Sequence, residues 1–432
     1  MSSIASNNAA PGRRFDWLFL DLNSFFASVE QQLDPRLRGR PVAVVPVETD
    51  STCAIAASYE AKKFGVKTGT MIHEAKRRCP GLVCVLANHE HYVEFHEAVL
   101  AEVDKHIPVT QIASIDEMAC RLPGDYAEEA KAMSVARAIK AGLRHHVGEC
   151  LTCSIGLAPN RFLAKVASDM QKPDGLVLID QRTLPGPLLE LKPNDLPGVG
   201  PNMERRLQDA GIRTMRQLWD CSAPQLRGIW RSVEGERMWQ RLRGLEIADE
   251  PTERRSVGHS HVLAPELRPT AQAELVARRL LLKAASRLRR LGYRATRMDL
   301  SVRIEHGPRE AQGVQFAPLS DSPGLLKESG RLWRAVVEVT GPLRIKKVSV
   351  TLHGLVPATG EQQLELFPDM STAEGRALDP AARERLSLAI DALNTKFGRD
   401  TVTIGMLPGV VRGFSGTKIA FTRVPDRAEF RE

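Results

Sequence analysis

The sequence predicts a multidomain chain of mixed α/β (α+β) class in which one sheet carries three carboxylates drawn from two distant stretches. Three observations lead there. Strand-like apolar runs, Trp17-Leu18-Phe19-Leu20 and Leu151-Thr152-Cys153-Ser154-Ile155-Gly156, are interleaved with amphipathic stretches such as Glu128 to Val147, where Ala132, Val135, Ala136, Ile139 and Leu143 recur at helical spacing. The acids Asp21, Asp116 and Glu117 fall at strand ends or edges of such runs. A chain of 432 residues with 43% hydrophobic content is also too long for a single core.

Asp21 follows four apolar residues and precedes Phe25-Phe26, which places a carboxylate at the rim of a core. An unpaired acid is costly there, and a cation is the natural compensation. Ala113-Ser114-Ile115-Asp116-Glu117-Met118 supplies two more acids. Adjacent acids are commonly solvated surface groups. Three carboxylates on neighbouring strands, however, can hold two divalent ions with a triphosphate beneath them.

In chain order, residues 1–14 are small and polar with no apolar stretch of signal-peptide length, and no later run approaches eighteen apolar residues, so a cytoplasmic protein without membrane contact is expected. Seven scattered Cys suit reduced thiols, and Cys150-Leu151-Thr152-Cys153 lacks a second metal-binding pair and reads as core. The Asp21 strand leads into a helix through Glu30. Pro41 to Val45 reads as a strand and Tyr59 to Gly65 as the end of a short helix stopped by glycine, giving a small subdomain over 31–88. His89 to His106 is helical, and the strands at Asp116 and Thr152 flank the helix from Glu128. A helix over Arg161 to Met170 ends at Pro173-Asp174-Gly175. A lysine at a helix end commonly serves the helix dipole. This turn instead returns Lys172 toward the carboxylate sheet.

Pro197-Gly198-Val199-Gly200 opens a helix carrying Arg205-Arg206, and a second short helix starts at Met215. Gly198 and Gly200 would expose backbone N–H groups to a nucleic-acid phosphate without reading sequence. The net charge is +8, and basic residues cluster late, in Arg287 to Arg297 and at Arg344, Lys346 and Lys347. That cluster is either a solvated face or a contact with a polyanion.

These motifs resemble those of the Y-family translesion DNA polymerases over Phe15 to about Phe367. The resemblance implies a right-hand fold: palm over 15–30 and 89–180, fingers over 31–88, thumb with a helix-hairpin-helix over 181–250, and little finger over 256–354. It further implies template-directed, error-prone DNA synthesis, with primer-template DNA and a dNTP as substrates. Two Mg²⁺ ions would be held by Asp21, Asp116, Glu117 and the Leu22 carbonyl. Phe25, Phe26, Tyr59, Lys62 and Lys172 would form the nucleotide site, Phe26 as steric gate against a 2′-hydroxyl. Arg289, Arg290, Arg294 and Arg297 would grip DNA. Asn23 and Lys62 are similar to the polymerase V catalytic subunit, whereas Ser168 to Gly175 is similar to the polymerase IV (DinB) branch. The competing readings are an inactive accessory scaffold, which would have lost the acids retained here, and a nucleotide cyclase, which has no use for the hairpin or the basic half.

The segment 355–432 reads as a linker with a tail. Within it Gln363-Leu364-Glu365-Leu366-Phe367 resembles a β sliding-clamp-binding peptide, with Gln363, Leu364, Leu366 and Phe367 as contacts. The tail from Ala389 to Val402 is similar to the polymerase V tail, which leaves two roles open: recruitment of a regulatory subunit, or packing as a core helix.

Overall fold

The computed structural model describes residues 14–248, 253–341, 343–358, 379–398, 400–405 and 424. The chain divides into two compact units, one within 14–248 and the other within 253–405. The first opens with strand β1 (Trp17–Leu22) and helix α1 (Phe25–Leu33). A small subdomain follows, comprising β2 (Val42–Val45), β3 (Ala56–Ala57), α2 (Tyr59–Lys62), α3 (Ile72–Arg78) and β4 (Val83–Leu86), with strands ordered β3-β2-β4. The chain returns through α4 (His89–Asp104), β5 (Gln111–Ile112), β6 (Glu117–Arg121), α5 (Glu129–Gly142), β7 (Cys153–Ala158), α6 (Arg161–Met170) and β8 (Leu176–Leu178). Four helices end the unit: α7 (Pro201–Asp209), α8 (Met215–Asp220), α9 (Ala223–Trp230) and α10 (Glu234–Leu242). The helix expected over 128–147 is α5 followed by one π turn, Leu143–Val147.

The main sheet runs β5-β6-β1-β7-β8, with β1 antiparallel to both neighbours. Period-2 alternation sends Leu18, Leu20 and Leu22 to one buried face and Trp17, Phe19 and Asp21 to the other. Trp17 and Phe19 pack with Leu163, Ala164 and Ala167 of α6 and with Leu207, Leu218 and Leu242 of the terminal helices. Gly156 of β7 lies opposite Phe19. A Cβ there would stand 2.0 Å from the Ala164 carbonyl oxygen and 2.5 Å from the Ser168 nitrogen, so glycine is what lets α6 approach the sheet this closely. Asn160 caps α6 by accepting from the Leu163 N–H at 2.8 Å and donates to the carbonyls of Arg241 and Leu245 at 2.8 and 3.0 Å, tying the terminal helices to the same helix end.

The second unit contains β9 (Ser256–Val262), α11 (Thr270–Arg290), β10 (Tyr293–Ile304), β11 (Arg309–Leu319), α12 (Ser322–Thr340), β12 (Ile345–His353), β13 (Val356–Pro357) and α13 (Pro380–Phe397). Its sheet is ordered β11-β10-β12-β9. Met298, Leu300, Val302, Val348 and Val350 bury one face against Leu280, Ala284, Leu288, Trp333 and Val336 of α11 and α12. The opposite face carries Arg297, Asp299, Ser301 and Arg303 beside Lys347, Ser349, Thr351 and His353. Among the described residues, no helix is long and apolar enough to cross a membrane.

Candidate active site

Strand register assembles the acids. Asp21, near the end of β1, lies directly opposite Glu117, the first residue of β6. Asp116 occupies the turn just before β6, where its carbonyl accepts from the Leu22 N–H at 2.8 Å and its side chain accepts from the Ser114 hydroxyl. His96 of α4 supports that turn from beneath, with Nδ1 2.7 Å from the Ile115 carbonyl oxygen.

Two lysines fill the space among the carboxylates. Lys165 Nζ lies 2.6 Å from Asp21 Oδ2, 2.8 Å from Glu117 Oε1 and 3.0 Å from Asp169 Oδ2. Lys172 Nζ lies 2.7 Å from Asp21 Oδ2 and 2.8 Å from Asp169 Oδ1. Burial alone would push the Asp21 carboxyl up, but the two ammonium groups outweigh it and hold the pKa below the usual carboxylate value. Asp116 and Glu117 go the other way. Burial raises both, the Asp21 charge adds to it, and Lys165 offsets only part. The cluster is therefore short of positive charge at Asp116 and Glu117, and its donors are all hard oxygens, which fits a Mg²⁺-type cation. Among the described residues, no three acidic, His or Cys side chains converge on one ion position as they stand. The lysine ammonium groups occupy that space.

Asn23 fixes Lys172. Its Oδ1 accepts from the Asp174 N–H at 2.8 Å and from Thr152 Oγ1 at 3.2 Å, while its Nδ2 donates to Ser154 Oγ at 3.1 Å. Ser154 Oγ in turn donates to the Gln171 carbonyl and accepts from the Gly175 N–H. The turn over 171–175 is thus sewn to the end of β1. An Asp at 23 could not donate to Ser154, so the amide is read here as a structural hub.

Ser24, at φ 48°, reverses the chain between β1 and α1, so Phe25 and Phe26 follow Asp21 closely. Both rings are buried; Phe26 stacks on Tyr92, with centroids 4.1 Å apart and planes inclined by 12°. Tyr92 is held by its hydroxyl donating to Glu30 at 2.6 Å. In the small subdomain, Lys62 Nζ sits 4.3 Å from the Tyr59 ring centre. Burial, then repulsion from Lys172, push the Lys62 ammonium down, and burial pushes the Tyr59 phenol up. Tyr59 and Lys62 therefore face the Asp21–Lys172 cluster, and together Lys62 and Lys172 present positive charge that an anion would relieve.

Gly198 takes φ 86° and Gly200 caps α7, whose first helical residue is Pro201. The expected arginine stripe is not one surface. The Arg289 side chain is only 5% exposed and binds Asp391 of α13 through Nε at 2.7 Å and Nη2 at 2.9 Å. Arg294 reaches Glu384 of α13 at 3.1 Å. Arg290 is exposed at the end of α11, and Arg297 alone of the four lies on the open sheet face, where a groove of about 380 Å³ also meets Asp299, Arg309, Thr351 and His353. The reason is geometric: a helix end and a strand cannot present a continuous run of residues to one side. Gln363, Leu364, Leu366 and Phe367 lie outside the described residues. Lys165 and Asp169 were missed by sequence reasoning. The available signal was the i,i+4 spacing of Lys165 and Asp169 on the helix packed over β1, with Lys172 in the turn that follows.

Residues 20–169 match the impB/mucB/samB family, 254–366 that family's C-terminal domain, and 194–246 the DNA polymerase-iota thumb domain. DNA polymerase IV of Moorella thermoacetica is 34% identical over 89% of this chain and 94% of its own length. DNA polymerase IV 2 of Mesorhizobium japonicum is 32% identical over 90% and 93%. Among solved structures, a Y-family DNA polymerase chimera, Dbh-Dpo4-Dbh, superposes with a TM-score of 0.68 at 24% identity, covering 79% of this chain and 99% of its own. The insertion ternary complex of Dbh DNA polymerase matches with a TM-score of 0.51 at 25% identity over the same shares. Fold and matches define the class of DNA-directed DNA polymerases with a right-hand architecture of palm, fingers, thumb and little finger. Within that class the chain belongs to the Y-family, and its activity is translesion DNA synthesis.

The raised Asp116 carboxyl makes a stability prediction. A folded pKa above the unfolded one means that ionised Asp116 costs stability once the pH exceeds the carboxylate range, and that this cost fades below about pH 4, where both states are protonated. Asp116→Asn should therefore raise Tm in EDTA at pH 7, with the gain shrinking toward pH 4, in thermal denaturation followed by circular dichroism. A lower Tm at pH 7 would contradict the assignment.

Proposed function

We propose that Asp21, Asp116 and Glu117, with the Leu22 carbonyl, hold two Mg²⁺ ions and form the catalytic centre for adding a dNMP to a primer 3′-hydroxyl. The observation that carries this is the β1–β6 register, which sets Asp21 against Glu117 with Asp116 alongside and leaves the last two short of positive charge. When bound, the ions supply a lowered pKa at the primer hydroxyl and charge neutralisation at the triphosphate. Lys172, Lys62 and Tyr59 bind the triphosphate. Lys62 does so as a point charge without the bidentate fork an arginine would bring, so it tolerates looser phosphate geometry. Phe26, braced on Tyr92, lies beneath the deoxyribose and excludes a 2′-hydroxyl, with Phe25 behind it.

The main-sheet region over 15–30 and 89–180 acts as palm, 31–88 as fingers, 181–250 as thumb and 256–354 as little finger. Duplex phosphates meet the first-turn N–H groups of α7 beyond Gly198 and Gly200, which a helix N-terminus leaves without intrahelical acceptors. In the little finger the DNA contact falls on the open sheet face at Arg297, which pairs there with Asp299 at 3.0 Å, and at Arg290 at the end of α11, while Arg289 and Arg294 are turned onto Asp391 and Glu384 of α13. A β sliding clamp binds the peptide Gln363 to Phe367 in the segment 355–432. A regulatory subunit would meet α13 on its outward residues Leu386, Leu393 and Phe397. The protein works in the cytoplasm.

Glu117→Ala should lower primer extension at least about a hundredfold while DNA binding persists, since metal-assisted charge stabilisation supplies several kcal/mol of barrier reduction. Extension by the variant at the wild-type rate would sink the metal assignment, whereas a wild type that extends no faster than the variant would return the chain to the accessory-scaffold reading. Phe26→Ala should raise ribonucleotide incorporation relative to dNMP, and unchanged sugar selectivity would move the gate elsewhere. Leu366→Ala with Phe367→Ala should leave extension on short primed DNA intact and abolish clamp stimulation, each anchor contributing on the order of 1–3 kcal/mol. Clamp binding equal to wild type would remove the peptide as the tether.

A further inference from the structure

The most unusual feature of the carboxylate cluster is Lys165, a cation from α6 that contacts Asp21, Glu117 and Asp169 with its side chain 17% exposed. A buried ammonium is costly unless paired, and here every pairing acid but one belongs to the proposed metal-ligand set. Asp169 is the exception. It lies one turn along α6 from Lys165, and it also contacts Lys172. The ammonium cannot share the Asp21–Glu117 space with a divalent ion, because like charges at such separations repel strongly in a low-dielectric site.

We propose that Lys165 is a resident counter-cation of the metal site: it holds Asp21 and Glu117 together when no divalent ion is bound, and hands off to Asp169 when one enters. The inference rests on the metal assignment above. Lys165 acts through the carboxylates and is a positioning residue. Its contacts explain how three acids can be prefolded side by side without an ion, and why no three of them converge on an ion position as they stand. The packing makes the exchange local. Lys165 keeps a partner throughout, since Asp169 is already 3.0 Å away, and only the far end of one side chain has to move.

The hand-off predicts opposite effects for the two partners. Lys165→Met removes the competing cation and should tighten Mn²⁺ binding to the full-length protein by about threefold or more, read by electron paramagnetic resonance titration. It should also lower Tm in EDTA, with Mn²⁺ restoring it. Asp169→Asn removes the alternative seat, locks Lys165 on Asp21 and Glu117, and should weaken Mn²⁺ binding by a similar factor. Lys165→Arg retains the charge and should stay near wild type in EDTA. A purely structural role would shift both substitutions in the same direction, and that result, or Mn²⁺ affinities unchanged in both, overturns the hand-off. Should Lys165→Met fail to fold, Asp169→Asn alone decides by the sign of its shift. If the wild type itself binds no Mn²⁺, or Asp21→Asn with Glu117→Gln leaves binding intact, the metal assignment falls and the hand-off with it, an outcome distinct from failure of the hand-off alone.

Discussion

Everything at this site depends on the strand register that sets Asp21 of β1 against Glu117 of β6, because antiparallel pairing brings two like-charged side chains to one face at the ends of two interior strands. Like charges directly opposite each other in a sheet are destabilising. The fold tolerates them by covering that face with α6 and delivering two ammonium groups, Lys165 and Lys172, within 2.8 Å of the acids. The helix comes close enough only because residue 156 is glycine, and the turn bearing Lys172 is held by Asn23 and Ser154. The site is thus an electrostatic arrangement whose mechanical supports lie on the neighbouring strand and turn. This is the pattern expected where function imposes a local cost that surrounding packing has to offset.

The three acids were legible in the sequence because each breaks a local rule: Asp21 interrupts an apolar strand, and Asp116 and Glu117 sit at the start of another. The helix over 161–170 and the turn that returns Lys172 were legible from amphipathic spacing and from Pro173-Asp174-Gly175. Lys165 was not. Its role appears only when Gly156 opposite Phe19 allows α6 onto β1, a fact about the approach of two backbones that no periodicity encodes. Asn23 was visible only as a point of similarity to the polymerase V catalytic subunit, and its function as a three-way hydrogen-bond hub depends on Thr152, Ser154 and Asp174, which lie about 130 to 150 residues further on. The difference separates local pattern, which sequence carries openly, from long-range register, which it carries only through the fold.

The second unit teaches the converse lesson. A run of arginines looked like one basic surface, yet the α11–β10 junction splits it: Arg289 and Arg294 bind acids of α13, and Arg297 projects from the other face of the sheet. The C-terminal helix meets α11 and α12 through polar pairs, including Ser387 Oγ accepting from the Ser322 N–H, and leaves Leu386, Leu393 and Phe397 exposed. Charge clusters in sequence are therefore weaker guides than isolated acids in apolar strands. Surface arginines have many acceptable partners, whereas a buried carboxylate has few.

The central claim is that the cluster formed by Asp21, Asp116 and Glu117 is a two-ion site serving primer extension. Its most direct test is anomalous diffraction from crystals of the protein with Mn²⁺, a dideoxy-terminated primer-template and an incoming dNTP. Two anomalous peaks at roughly 2.1 Å from these carboxylate oxygens, the distance for a small hard cation, with Lys165 turned onto Asp169, are predicted. Peaks elsewhere, or an ordered dNTP with Lys165 still between Asp21 and Glu117, would contradict the account.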